Sequence, residues 1–146
     1  MADESAGEWL LMVDGASRGN PGEAGSGAVI YDDAGRTVRE LTRYLGRVTN
    51  NVAEYEGLLM GLEEALKLGV KRLRVQSDSE LLVRQLNGVY RVKHENLIPL
   101  HRRARELLRR LDSHRIMHVR RELNKVADRL ANQAIDDAHQ KGSKIS

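Results

Sequence analysis

The chain contains no cysteine, no phenylalanine and a single tryptophan. Without cysteine there are no disulfides and no thiolate metal sites, which suits a reducing compartment. Without phenylalanine the core must be assembled from Leu, Val, Ile, Ala and Met, and a hydrophobic content of 40% supplies enough of them to fold. No apolar run approaches the roughly 20 residues of a membrane span, and no charged-then-apolar leader marks export. The expected compartment is therefore the cytoplasm, with no membrane partner. Charge of one sign is not in large excess either: 24 Lys+Arg against 21 Asp+Glu leave +3. That mildly basic balance permits a polyanionic partner without requiring one. At 146 residues the length fits one domain.

Periodicity divides the chain into a flexible leader over 1–7, a domain over 8–137 and a flexible tail over 138–146. Trp9-Leu10-Leu11-Met12-Val13 predicts a buried strand from Glu8 to Asp14, followed by the tight turn Gly19-Asn20-Pro21-Gly22. Strands are predicted from Gly25 to Tyr31 and from Thr37 to Leu45, joined by Asp32-Asp33-Ala34-Gly35. Three short strands in succession imply an antiparallel meander. The period then changes: Val52, Tyr55, Leu59, Leu62 and Leu66 mark a helix that stops near Gly69. A strand from Arg72 to Gln76 leads into a helix starting at Ser77-Asp78. Leu97, Leu100, Ala104, Leu107 and Leu111 mark another helix, Arg115 to Val119 a last strand, and Asn124 to Asp137 a closing helix. The order βββαβααβα predicts an α/β fold, a mixed sheet with helices packed on both faces.

Four acids stand at the junctions of these elements: Asp14, Glu54, Asp78 and Asp128. Each has a structural reading. Asp14-Gly15 suits a turn, Glu54 follows Asn51 at capping-box spacing, and Asp78 and Asp128 lie where a short acid stabilises a helix start by about 1 kcal/mol. Helical position argues otherwise for two of them. Glu54 shares a stripe with Leu58, Gly61 and Ala65, and Asp128 shares one with Ala131, Ala134 and Ile135. An unpaired charge on an apolar stripe is costly unless something neutralises it. Asp14 and Asp78 each follow a predicted strand, at the edge where open sheets place ligands. Four convergent carboxylates would repel one another, and divalent cations would remove the conflict.

These residues in their settings resemble type 1 ribonuclease H. The matching segments are Met12-Val13-Asp14-Gly15 with Gly19-Asn20-Pro21-Gly22, Thr49-Asn50-Asn51-Val52-Ala53-Glu54, Val75-Gln76-Ser77-Asp78-Ser79, and Asn124-Lys125-Val126-Ala127-Asp128-Arg129-Leu130-Ala131. They occur in family order, with successive acids separated by 40, 24 and 50 residues. The resemblance implies a ribonuclease H-like fold, with a five-stranded mixed sheet whose first three strands are antiparallel. It also implies two-metal endonucleolytic hydrolysis of the RNA strand of RNA–DNA hybrids with Mg²⁺ or Mn²⁺, leaving 5′-phosphate and 3′-hydroxyl ends. Carried over residue by residue, Asp14, Glu54, Asp78 and Asp128 are the catalytic metal ligands. Asn20 and Asn51 are expected in the minor groove, and Arg47, Thr49 and Asn96 around a phosphate of the DNA strand. Turn former and helix cap remain the alternatives for the two asparagines. Tyr90 matches an aromatic that lies against the DNA strand in the family, with core packing as its structural reading.

The chain departs from the family pattern in two places. A loop His before the last acid is missing, and Arg120 and Arg121 are the candidates to contact the phosphate in its stead; His118 falls inside a predicted strand and is read as structural. A basic protrusion is also missing, with the arginines of the 97–111 helix as its candidate replacement. Short-loop members of the family extend the partner set to double-stranded RNA, and the protein is expected to be a monomer. Two rivals are a related metal nuclease acting on DNA junctions and a non-catalytic hybrid-binding module. A nucleotide-binding enzyme is disfavoured because the glycines from 15 to 27 form no phosphate-loop pattern.

Overall fold

A computed structural model describes the backbone over residues 7–145 and side chains through residue 140. Residues 1–6 of the expected leader lie outside the described residues. Strands β1 (Glu8–Gly19), β2 (Gly22–Tyr31), β3 (Thr37–Val48), β4 (Arg72–Ser77) and β5 (Ser113–His118) form one sheet in the order β3-β2-β1-β4-β5. The first three pair antiparallel, while β1–β4 and β4–β5 pair parallel. The mixed five-stranded sheet is as expected.

β1 is longer than the sequence predicts. The hairpin register runs unbroken from Leu10↔Tyr31 to Gly19↔Gly22, so Asp14 sits within the strand, opposite Gly27, and not in a turn. The parallel ladder with β4, by contrast, ends at Val13↔Ser77. Asp14 and Asp78 are thus the next residues along two neighbouring strands.

Helix α1 (Asn50–Lys67) packs on one face of the sheet through small residues. A Cβ added at Gly15 would stand 2.4 Å from the Ala53 carbonyl carbon and the Glu54 nitrogen. One at Gly57 would meet the Asp14 carbonyl oxygen at 2.9 Å, and one at Gly61 would meet Leu11 Cδ1 at 2.5 Å. Ser26 Oγ donates to the Ala53 carbonyl at 2.6 Å and fastens the same turn to β2. The helix stops as predicted: Gly69 takes φ +79°, and the Gly69 and Val70 amides close back onto Leu66 and Ala65.

Helices α2 (Glu80–Leu86) and α3 (Ile98–Arg109) complete that face, α3 lying on α1. Helix α4 (Lys125–Ile145) covers the other face, over β1, β2 and β3. Gly25 and Gly27 give it room, since a Cβ there would lie 2.6 Å from the Ala131 carbonyl oxygen and 2.4 Å from that of Ala127. The helix continues beyond Asp137, so its backbone occupies most of the stretch where a tail was expected.

The core is aliphatic, as the missing phenylalanines require. Tyr55 is the one fully buried aromatic among the described residues, and its hydroxyl donates to Gln85 Oε1 at 2.6 Å. Tyr90 is not core: it is 47% exposed, and the Arg84 guanidinium lies 5.3 Å from its ring centroid.

Candidate active site

The structural readings of Glu54 and Asp78 fail because other residues do those jobs. Thr49 caps α1, its Oγ1 accepting from the Val52 amide at 3.3 Å. That leaves Asn51 and Glu54 outside any capping box. Ser79 caps α2, its Oγ accepting from the Leu82 amide at 3.2 Å, so the helix starts two residues later than predicted and the Asp78 carboxylate is left over. Asp128 does lie in the first turn of α4, half-buried.

The four acids line one cleft of about 470 Å³, together with Gly15, Ala16, Ser17, Asn50, Asn51, Ser79, Arg121 and Asn132. Ligand oxygens of Asp14, Glu54 and Asp78 lie within 4.8 Å of one another. Asp128 stands outside that trio but in contact with Asp14. Asp14 is only 4% exposed and Glu54 9%. Burial, reinforced by the Asp78 carboxylate and then by Asp128, pushes the Asp14 carboxyl up to about 8. Burial, followed by repulsion from Asp14 and Asp78, holds Glu54 well above the usual carboxylate range. The Gly15 amide donates to Asp14 Oδ1 at 2.9 Å, but Glu54 Oε2 is buried without a hydrogen-bond partner.

A buried carboxylate oxygen with no donor is costly. A divalent cation, hard and oxygen-seeking, satisfies it and relieves the mutual repulsion. The residues present therefore fit such an ion, with Asp14, Glu54 and Asp78 as its nearest ligands and Asp128 beside them.

The expected substrate contacts divide. Asn20, Thr49 and Asn51 line a smaller groove of about 100 Å³ with His94 and Leu97, and Asn51 also faces the main cleft. Asn20 Oδ1 accepts from the Asn50 amide at 3.2 Å, tying the β1–β2 turn to the start of α1. Arg47 and Asn96 are exposed and line neither space; the Asn96 amide is turned to His94 Nδ1 at 3.2 Å. Of the two arginines in the shortened loop, Arg121, in the 3₁₀ turn Arg121–Leu123, lines the cleft and Arg120 does not. His118 is exposed on β5, away from the cleft lining.

Two further residues hold the acids' surroundings in place. Asn132, one turn after Asp128, lines the cleft and donates from Nδ2 to the Asp128 carbonyl at 3.1 Å and to Oδ1 at 3.4 Å. Its i+4 spacing is the signal that could have found it. Asn124, 1% exposed, donates to the Val13 carbonyl at 2.9 Å and so anchors the start of α4 beside Asp14.

Comparison with known proteins agrees with this geometry. The family model described as reverse transcriptase-like matches residues 12–134. A bifunctional protein of Mycobacterium tuberculosis is 45% identical over 132 residues, covering 90% of this chain and 36% of that protein. Ribonuclease HI of Halobacterium salinarum is 45% identical over 135 residues, covering 92% of this chain and 68% of the relative. LC11-RNase H1, isolated from compost and solved with an RNA/DNA hybrid, superposes with a TM-score of 0.84 at 41% identity, covering 89% of this chain and 98% of that one. The chain thus spans about a third of the mycobacterial relative's length, 36%. By the match across residues 12–134 and the identity to a ribonuclease HI over most of both chains, the protein belongs to the reverse transcriptase-like family, as a ribonuclease H domain.

Proposed function

We propose that the protein is a metal-dependent endoribonuclease that hydrolyses the RNA strand of RNA–DNA hybrids, leaving 5′-phosphate and 3′-hydroxyl ends. The observation that carries this reading is the unpartnered, buried Glu54 Oε2 inside a trio of acids whose oxygens lie within 4.8 Å of one another. The ions are Mg²⁺ or Mn²⁺, two per site, held by Asp14, Glu54, Asp78 and Asp128. When bound, such ions make water nucleophilic at neutral pH and neutralise charge on the leaving oxygen.

The chain's own residues do the rest. Gly15 and the small residues of α1 fix Glu54 against Asp14, so the acids need no reorganisation when substrate arrives. Arg121, permanently charged, holds a phosphate oxygen at the cleft mouth but moves no proton. Asn51 spans cleft and side groove, where its carboxamide donates to and accepts from the sugar and base edges of the minor groove. The 2′-hydroxyl presented there separates RNA from DNA. The protein acts as a cytoplasmic monomer.

The test offers a labelled RNA–DNA hybrid, double-stranded RNA and double-stranded DNA, each with Mg²⁺, Mn²⁺ or chelator. Internal cutting of the hybrid's RNA strand that needs metal and is lost in Asp14→Asn is the expected result. Double-stranded RNA is expected to be a second, slower substrate. Equal cutting of duplex DNA, or binding without cutting, would refute the proposal.

A further inference from the structure

Helix α3 carries two stripes. Leu97, Ala104, Leu107, Leu108 and Leu111 are buried against the core. Ile98, Arg102, Arg105 and Arg109 recur at four-, three- and four-residue steps, which places them on one face. That face, with Tyr90 and Arg91 of the α2–α3 loop, lines a groove of about 830 Å³. The other arginines of this helix are not in it: Arg103 and Arg110 line a separate hollow on the far side.

The groove is cationic by construction. Its one acid, Glu106, is taken by Arg103 at 2.9 Å. Arg102 and Arg109 make no ion pair among the described residues, although the chain holds 21 acids that could have been placed beside them. Arg105 is held in place by donating to the Leu86 carbonyl at 3.0 Å. Tyr90 and Ile98 present apolar surface to solvent beside these charges, with Tyr90 47% and Ile98 36% exposed. Four guanidiniums and a half-exposed aromatic ring in one lining are complementary to a phosphate backbone and its bases.

The groove is built on the same stretch of chain as the side groove: His94 and Leu97 line the side groove, which shares Asn51 with the cleft, and Val92 and Ile98 line the α3 groove. We infer that this α3 face is a second nucleic-acid site, gripping the phosphates of a duplex that extends past the cleft through Arg91, Arg102, Arg105 and Arg109. The inference rests on the proposed nuclease reading and adds to it a dependence on substrate length. The 12 residues of α3 span about 18 Å at 1.5 Å per residue, roughly five base steps at 3.4 Å each.

The test is a double variant, Arg102→Gln with Arg109→Gln, in an Asp14→Asn background that binds without cutting. Affinity is measured by anisotropy against salt concentration, for a hybrid ending beside the cleft and for one long enough to cross α3. The expected outcome is a loss of about tenfold for the long hybrid, with its salt slope falling by about 2, near 0.9 for each phosphate contact removed. The short hybrid should be unaffected, and with Asp14 restored its cleavage rate should be unchanged. Unchanged affinity and slope on the long hybrid would overturn the inference and leave the stripe as a solvated face or a seat for an acidic protein. In that case cutting by the unaltered protein still shows the nuclease reading intact. A parent chain that neither binds nor cuts either hybrid would sink both.

Discussion

Removing one charge from the acid cluster should make the metal-free protein more stable at alkaline pH. Asp14 is 4% exposed, and its carboxyl is raised from an ordinary 3.8 to about 8, first by burial and then by Asp78. Between those values the folded chain holds a proton that the unfolded chain has released. Stability is therefore fully present below about pH 4 and is lost as pH rises towards about 8. Each pH unit in that window is worth at most about 1.4 kcal/mol. From about pH 5 to about pH 8 the ceiling for Asp14 alone is about 4 kcal/mol, and its coupling to Glu54 spreads the titration and lowers the expected loss to about 2 kcal/mol. Asp14→Asn keeps the shape and the acceptor for the Gly15 amide but carries no charge. In chelator at about pH 8 it should melt roughly 6 °C above the parent, and at about pH 5 the two should nearly coincide. Millimolar Mg²⁺ should then reverse the order, because only the intact cluster gains from binding the ion. Thermal melts followed by circular dichroism, at both pH values with and without metal, read all of this. A parent whose melting point in chelator is flat with pH, or a variant with no advantage at about pH 8, would refute the account of a charge held against its preference.

Gly15→Ala should be disabling, since its Cβ would sit 2.4 Å from backbone atoms of Ala53 and Glu54. We expect a loss of about 3 kcal/mol in denaturant titration, at the upper end for overpacking, together with loss of cleavage as α1 is pushed off β1. Arg121→Ala should leave the melting point unchanged, because the side chain is exposed. It should lower kcat/KM on the hybrid by about tenfold or more, as expected for a charge-assisted phosphate contact worth about 1.5–3 kcal/mol.

Much of this was legible in the sequence because it depends on periodicity. Helices α1 and α3 follow from apolar spacing, the end of α1 from Gly69, and the convergence of the acids from two lying on inward stripes and two at the ends of predicted strands. What escaped depends on which partner a residue meets. β1 was predicted to end at Asp14 because Asp-Gly reads as a turn, yet its hairpin partner continues to Gly19. Ser77-Asp78-Ser79 contains three good cap formers in a row, and only the backbone reveals that Ser79 takes the role. Arg47 and Asn96 rest on the family resemblance alone, and both lie exposed outside the two linings. Of the two readings of Tyr90, against a DNA strand or in the core, core packing is the one the structure overturns. The loop leaves the ring outside, beside Arg84.

The cleft that gathers the four acids exists because one strand stops early. Beyond Val13 and Ser77, β1 keeps its hairpin neighbour and loses its parallel one, so one edge of Gly15–Ser17 faces open space instead of a ladder about 4.8 Å away. Two more residues of β4 would zip that fork shut and turn Asp78 into an ordinary rung. Its mouth is therefore set by how far a ladder extends, a property of the scaffold that changes in any one loop leave in place.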